Sequence, residues 1–338
     1  PGVLSTYPGA IPEPDPDLLA AHAPARGLML LGSAGDIALL NETTFEVELG
    51  ARLTDPPDPA DGLFVPGPDG RLWRVAAADG LVARIYDPAR DFWAAATIEG
   101  DDSTARPGAA WAAAPDRRHV YLAGGGDQRD VLALALPSDD GAIQPEIVGE
   151  LDGPRTGARL LALDRGDTDS LVLVGGADEA APAVLLPGSG HTFGPVGAWT
   201  NIQCIVTDPA EAAEDSIRVL CLGGLRGGQP TADGLLLRCP PAAADTVVEE
   251  LPALLTAPAA DPRLFADDLA VYAQSDRQWW RIGKDDLGVT VAPSPASRVS
   301  GGHSIMLGTG VTFLVGGTDP GDRAVDSWWF FAPTLPSP

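Results

Sequence analysis

Short apolar runs, bounded by Gly, Pro or Asp, recur from one end of the chain to the other. Four of them end in two glycines: Val120–Gly125, Leu171–Gly176, Val219–Gly224 and Thr312–Gly317. Degenerate copies stand at Leu28–Ser33, Gly62–Gly67 and Leu269–Gln274. The marker positions 32, 67, 124, 175, 223, 273 and 316 are about 47 residues apart on average. A second apolar run follows each copy after a few polar residues, as in Asp130–Leu134, Asp233–Leu237 and Asp326–Phe331. Several copies are preceded by a run that opens with Arg: Arg106–Trp111, Arg155–Leu160 and Arg298–Ser304. Runs this short between turn residues are strands, and no stretch of helical period competes with them. The pattern predicts a repeating unit of strand, turn, apolar strand, glycine pair, polar loop, strand and outer strand.

That order, with its doubled glycine, resembles the kelch repeat of β-propellers, whose period is near 50 residues. The resemblance covers residues 18–332 and implies an all-β, seven-bladed propeller, with six blades as the alternative. Small residues on the innermost strands, such as Gly108–Ala110 and Gly157–Ala158, suit the crowding near a propeller axis. The Trp pairs at 279–280 and 328–329 place one ring on each strand face, so at least one of each pair should pack between blades. Residues 1–17 divide into an apolar piece, 3–7, and a Pro/Asp linker. Residues 3–7 are expected to close the last blade as its outer strand, while 18–22 start the first. Such closure removes an unpaired edge. Residues 333–338 form a Pro-rich tail.

Charge narrows the partners. With 22 Lys plus Arg against 47 Asp plus Glu, the net charge is −25. A chain this acidic lacks the positive footprint that nucleic acid or an anionic membrane requires. No apolar run approaches the ~18 residues of a spanning helix. Lys284 is the only lysine, and abundant Arg, Ala, Gly, Pro and Asp point to a high-GC bacterial source. The chain opens on Pro1 with no basic-then-apolar leader, which fits a mature or trimmed form of an exported protein.

The candidate chemistry is sparse. Cys204, Cys221 and Cys239 fall on three successive strands of one blade. One disulfide is expected, pairing Cys239 with Cys221 or Cys204. No CxxC spacing supports a zinc or redox motif. The four histidines are scattered, and only His303 looks axial, so the Cys-Tyr and paired-His pattern of copper-radical kelch oxidases is missing. Gly302–Met306 resembles a nucleophile elbow, but Met306 replaces the final Gly and the run reads as a strand. Asp164, Asp167 and Asp169 form the sharpest acidic cluster. They are calcium candidates, although they lack the order of a calcium loop and fit a hairpin turn between first and second strands. No other cofactor is expected.

The loops after the glycine pairs should gather at one end of the channel and bring Arg129, Arg226 and Arg277 to its rim. Arg106, Arg155, Arg298 and His303 are expected to point toward the axis. A mixed-charge rim suits recognition of a protein or of a polar small ligand. The expected function is a non-catalytic protein-binding or assembly module of an extracytoplasmic complex, whether periplasmic, cell-surface or secreted. The alternative is a carbohydrate-active propeller enzyme (hydrolase, lyase or mutarotase) with an axial Arg/His/acid site.

Overall fold

The computed structural model describes every residue except 1–2, 11–14, 16–17, 24–26, 42–43, 45, 59–60, 101–103, 139–140, 165–168, 178–182, 187–188, 193–196, 208–215, 241, 268, 276–277, 293–302, 307–311, 320–322, 324–326 and 333–338. The Pro-rich tail and most of the Pro/Asp linker therefore lie outside the described residues.

Apolar runs that lack polar alternation need cover on both faces, and the sheets supply it. Sheet 1 contains Leu19–Ala23, Gly27–Leu31, Ile37–Leu40 and Val47–Gly50. Sheet 2 contains Gly62–Pro66, Leu72–Ala76, Val82–Asp87 and Phe92–Ala95. Sheet 3 follows with Ala110–Ala113, His119–Ala123, Asp130–Ala135 and Pro145–Glu150. Sheet 4 has Arg159–Asp164, Asp169–Val174, Ala183–Leu186 and Ser189–Thr192. Sheet 5 has Gln203–Val206, Ile217–Leu222, Gly234–Cys239 and Val247–Leu251, and sheet 6 has Arg263–Ala266, Ala270–Gln274, Trp279–Gly283 and Val289–Ala292. Sheet 7 orders His303–Met306, Thr312–Val315 and Ser327–Ala332, and its outer strand is the N-terminal Val3–Ala10. Val3 lies opposite Ala332 and Ala10 opposite Ser327, with a register shift between. Among the described residues every pairing between these strands is antiparallel. Helix among the described residues is limited to the 3-10 turn Ala243–Asp245 and the 3-10 residue Asp61.

The second strands are buried along most of their length, whereas the fourth strands of sheets 1, 2, 3 and 5 face solvent. Each sheet therefore packs its neighbours face to face. The core divides into clusters that lie between consecutive sheets. One joins sheets 2 and 3 through Trp73, Val75, Trp111 and Val120; another joins sheets 7 and 1 through Phe313, Val315, Leu28 and Leu30. Trp279 packs toward sheet 7 and Trp280 toward sheet 5, so that pair does place one ring in each interface. The first strand of each sheet neighbours those of the sheets before and after, and Leu19–Ala23 neighbours His303–Met306. The fold is all-β and propeller-like.

The glycine pairs close the interfaces. Gly124–Gly125, Gly175–Gly176, Gly223–Gly224 and Gly316–Gly317 all have positive φ. The N–H of Gly125 donates to Arg155 O at 2.9 Å, that of Gly176 to Trp199 O at 2.8 Å, and that of Gly224 to Ala259 O at 2.8 Å. Each acceptor lies in the segment leading into the next sheet. A Cβ on Gly125 would lie 2.6 Å from Arg106 O, so only glycine allows this approach.

Two expectations are corrected. In sheet 2, Gly62–Pro66 is the first strand rather than the second, and Leu72–Ala76 is the second. The glycine-pair position there is Ala77, which accepts the Arg106 N–H at 2.7 Å. Moving the marker from 67 to 77 replaces the uneven intervals of 35 and 57 by 45 and 47. Gly67 misled because Gly also ends the sheet's first hairpin. The disulfide joins Cys204 to Cys221, and Cys239 is a buried thiol outside it. Register decides this: Cys204 lies directly opposite Cys221, with Cα atoms 4.0 Å apart, whereas Cys239 lies opposite Ile217. Four residues of strand put Cys239 ~13 Å along from Cys221.

A pair of alanine substitutions separates backbone strain from crowding. Gly70 has φ +82° and open space around its added Cβ, so Gly70→Ala is expected to cost about 1 kcal/mol. Gly125, at φ +85°, adds overlap with the Arg106 carbonyl, and Gly125→Ala is expected to cost more than about 3 kcal/mol. Urea midpoints measure both, and equal losses would refute the crowding argument.

Candidate functional site

The first strands enclose a central cavity of about 670 Å³ that receives residues from all seven sheets. Among the described residues its charged lining is Arg159, Asp261 and Arg263, contributed by sheets 4 and 6, and sheet 5 adds Asn201 and Gln203 between them. The opposite wall, from sheets 1 to 3, is apolar or small: Leu19, Ala20, Leu63, Phe64, Gly108, Ala109 and Ala110. The channel thus has one polar and one apolar wall.

Register explains the placement. Arg159 pairs with Val174, Gln203 with Leu222 and Arg263 with Gln274, in each case the last residue of the second strand. Leu19, Gly62, Ala110 and His303 occupy the same position in the other sheets. One layer at the glycine-pair end of the channel therefore holds a cationic, amide or aliphatic residue according to sheet.

Within the polar wall, Gln203 Nε2 donates to Asp261 Oδ1 at 2.9 Å. Burial pushes the Asp261 carboxyl above the usual carboxylate range, opposed by the Gln203 bond and by the charges of Arg159 and Arg263. Arg263 is buried and donates from Nη2 to Gly316 O at 2.9 Å and Val315 O at 3.3 Å, tying sheet 6 to sheet 7. Burial lowers its pKa to about 10, with Asp261 opposing. Confinement in the channel likewise lowers that of Arg159, against the pull of Asp261. Arg159 reaches channel water and has no hydrogen-bond acceptor among the described residues. It is the cation in this wall that a ligand can engage.

The expected rim is partly redistributed. Arg129 is exposed and is not among the residues that line the cavity. Arg226 is committed elsewhere. It stacks over the Trp199 ring at 5.2 Å and bridges Asp233 and Glu250, both at 3.0 Å, inside a small sheet of Trp199–Thr200, Leu225–Arg226 and Gln229–Pro230. Burial opposes its charge, but the bonds to Glu250 and Asp233 outweigh this and raise its pKa. Arg277, Arg298 and Asp167 lie outside the described residues. Of His303 the backbone is described, opposite Val315. Ser304, next to it, donates its hydroxyl to Leu264 O, consistent with a strand rather than a nucleophile elbow.

Arg106 and Arg155 do not line the channel. The Arg106 guanidinium is buried and clamps Asp130 through two bonds, 2.9 and 2.7 Å. Arg155 bonds Asp152 at 2.9 Å. Both precede the first strand by four residues and are held by these ion pairs. Asp164 is exposed and lies opposite Asp169 in its hairpin. The donors gathered around Asp169 are instead those of Asp116 and His119.

Neither protein-family models nor curated protein sequences match this chain.

The Arg106 clamp holds the Asp130 carboxyl below the usual carboxylate range, with burial acting against it. A depressed folded pKa gives stability that is complete above the unfolded value of about 4 and lost as pH falls through the folded value. Asp130→Asn is therefore expected to cost about 3 kcal/mol at pH 7. In urea titrations the gap from the parent chain should narrow between pH 5 and about 2; a gap independent of pH would contradict the clamp.

Proposed function

We propose that the chain is a seven-bladed, kelch-like β-propeller that serves as a non-catalytic binding module outside the cytoplasm, and that its channel receives an acidic polar group. The fold reading is supported by the repeating glycine pairs and by core clusters between successive sheets, including sheets 7 and 1. The Cys204–Cys221 disulfide favours an oxidising compartment. The observation that carries the binding reading is Arg159, a hydrogen-bond donor without an acceptor among the described residues, set beside Gln203 and Asp261 and facing an apolar wall. A polar ligand with one carboxylate and one apolar face matches both walls, whether a free sugar acid or an acidic side chain presented by a partner protein. The surrounding charge of −25 repels anions from the rest of the surface, and physiological salt screens that repulsion beyond ~8 Å.

A second reading, a carbohydrate-active enzyme, is favoured by Asp261, whose raised pKa in a channel beside two arginines is the environment of a general acid.

Calorimetric titration with glucuronate, glutamate and glucose as probes tests the binding reading. The two acids are expected to bind and glucose to give no heat. A charge-assisted bond is worth roughly 1.5–3 kcal/mol, so Arg159→Ala should weaken binding by about tenfold or more. Absence of acid binding, or undiminished binding by Arg159→Ala, would overturn it.

A further inference from the structure

At the other end of the first strands, the hairpins of sheets 3 and 4 bring three metal-ligating side chains together. We propose that Asp116, His119 and Asp169 form a site for a borderline divalent transition ion of the Zn²⁺ class, which would clip sheet 3 to sheet 4. One donor atom from each residue lies within 4.8 Å of the other two. A tetrahedral ion with bonds of about 2.0–2.2 Å holds its ligand atoms roughly 3.3–3.6 Å apart, so the three donors would draw together by small side-chain rotations as the ion binds.

Each donor is set by its own surroundings. Asp116 sits in the turn closed by Arg117 N–H to Ala114 O at 3.0 Å and Ala114 N–H to His119 O at 2.9 Å, with Arg117 at φ 63°. Its Oδ1 accepts the Arg118 N–H at 2.8 Å, which leaves its second oxygen for an ion. Asp169 opens the second strand of sheet 4, and its Oδ2 accepts the Tyr121 hydroxyl proton at 2.7 Å. That bond crosses the sheet interface and orients the carboxylate, the service that outer partners give to metal ligands. The His119 ring stacks on Tyr121, centroids 6.1 Å apart, which fixes its plane.

The imidazole distinguishes this group from an ordinary solvated acidic face. His119 is half-buried, and neither ring nitrogen has a hydrogen-bond partner among the described residues. Two carboxylates face it, and a divalent ion would neutralise both while using the imidazole nitrogen. Calcium prefers oxygen ligands alone, whereas imidazole suits zinc and its neighbours. The donor set therefore selects against calcium, the ion for which Asp164, Asp167 and Asp169 are the sequence candidates. Because the ligands come from two sheets, an ion that binds only the folded chain stabilises it by an amount that grows with the logarithm of free ion above its dissociation constant.

Calorimetric titration of the full chain with ZnCl₂ tests the site, with CaCl₂ as competitor. One equivalent of Zn²⁺ is expected to bind, and a tenfold excess of Ca²⁺ should leave the isotherm unchanged. His119→Ala and Asp169→Asn should each weaken binding at least tenfold, while His191→Ala leaves it intact. Zn²⁺ should also raise the melting temperature of the parent chain but not of His119→Gln, which retains side-chain bulk. Absence of Zn²⁺ binding at roughly 100 µM, undiminished binding by His119→Ala, or displacement by Ca²⁺ would each overturn the proposal.

Discussion

In three of the four glycine pairs the amide of the second glycine leaves its own sheet and donates to the carbonyl that leads into the next. Gly125, Gly176 and Gly224 repeat this bond at nearly the same length. The geometry demands two successive residues at positive φ and a backbone approach that no Cβ survives. A net hydrogen bond is worth only about 1 kcal/mol, but leaving a buried amide unpaired costs more. The bond therefore specifies where the following strand must begin. Sheet 2, which lacks the pair, keeps a contact in altered form, with Ala77 accepting from the Arg106 N–H. Between sheets 6 and 7 a side chain adds a different tie, Arg263 to the Gly316 carbonyl.

The character of the channel follows from that constraint. The glycine amides fix where the first strands of sheets 4, 5 and 6 begin, and the first residues of all these strands form a layer at one end of the cavity. The backbone is nearly the same from sheet to sheet, so the side chain at that single register position decides the local chemistry. Sheets 4, 5 and 6 place Arg159, Gln203 and Arg263 there, and sheets 1, 2 and 3 place Leu19, Gly62 and Ala110. The asymmetric channel is thus a matter of sequence laid on a repeating scaffold, which is how binding sites are usually grafted onto superfolds.

Much of the scaffold was legible because its cause is local. The glycine pairs, the buried second strands and the N-terminal strand beside Ser327–Ala332 all follow from backbone geometry and from runs of apolar residues. Sheet 2 was misread because Ala77 replaces the glycine that marks its equivalents, while Gly67 offers a false marker. The disulfide was misassigned because strand register, not sequence order, places Cys204 against Cys221. The polar wall was missed for a related reason. Arg159, Gln203, Asp261 and Arg263 share no motif and belong to three sheets; only their common position opposite the end of a second strand relates three of them. The more conspicuous Arg106 and Arg155 carried the repeat pattern, yet their side chains form ion pairs within the structure.

If the glycine amides couple sheet to sheet, the sheets should open together rather than one at a time. Hydrogen exchange across a denaturant series, resolved at Gly125, Gly176 and Gly224, reads this out. The account predicts that all three exchange with the same free energy and denaturant dependence as the central amides Val120 to Leu122, through global unfolding. Exchange at low free energy without denaturant dependence, or at a different free energy for each sheet, would contradict it.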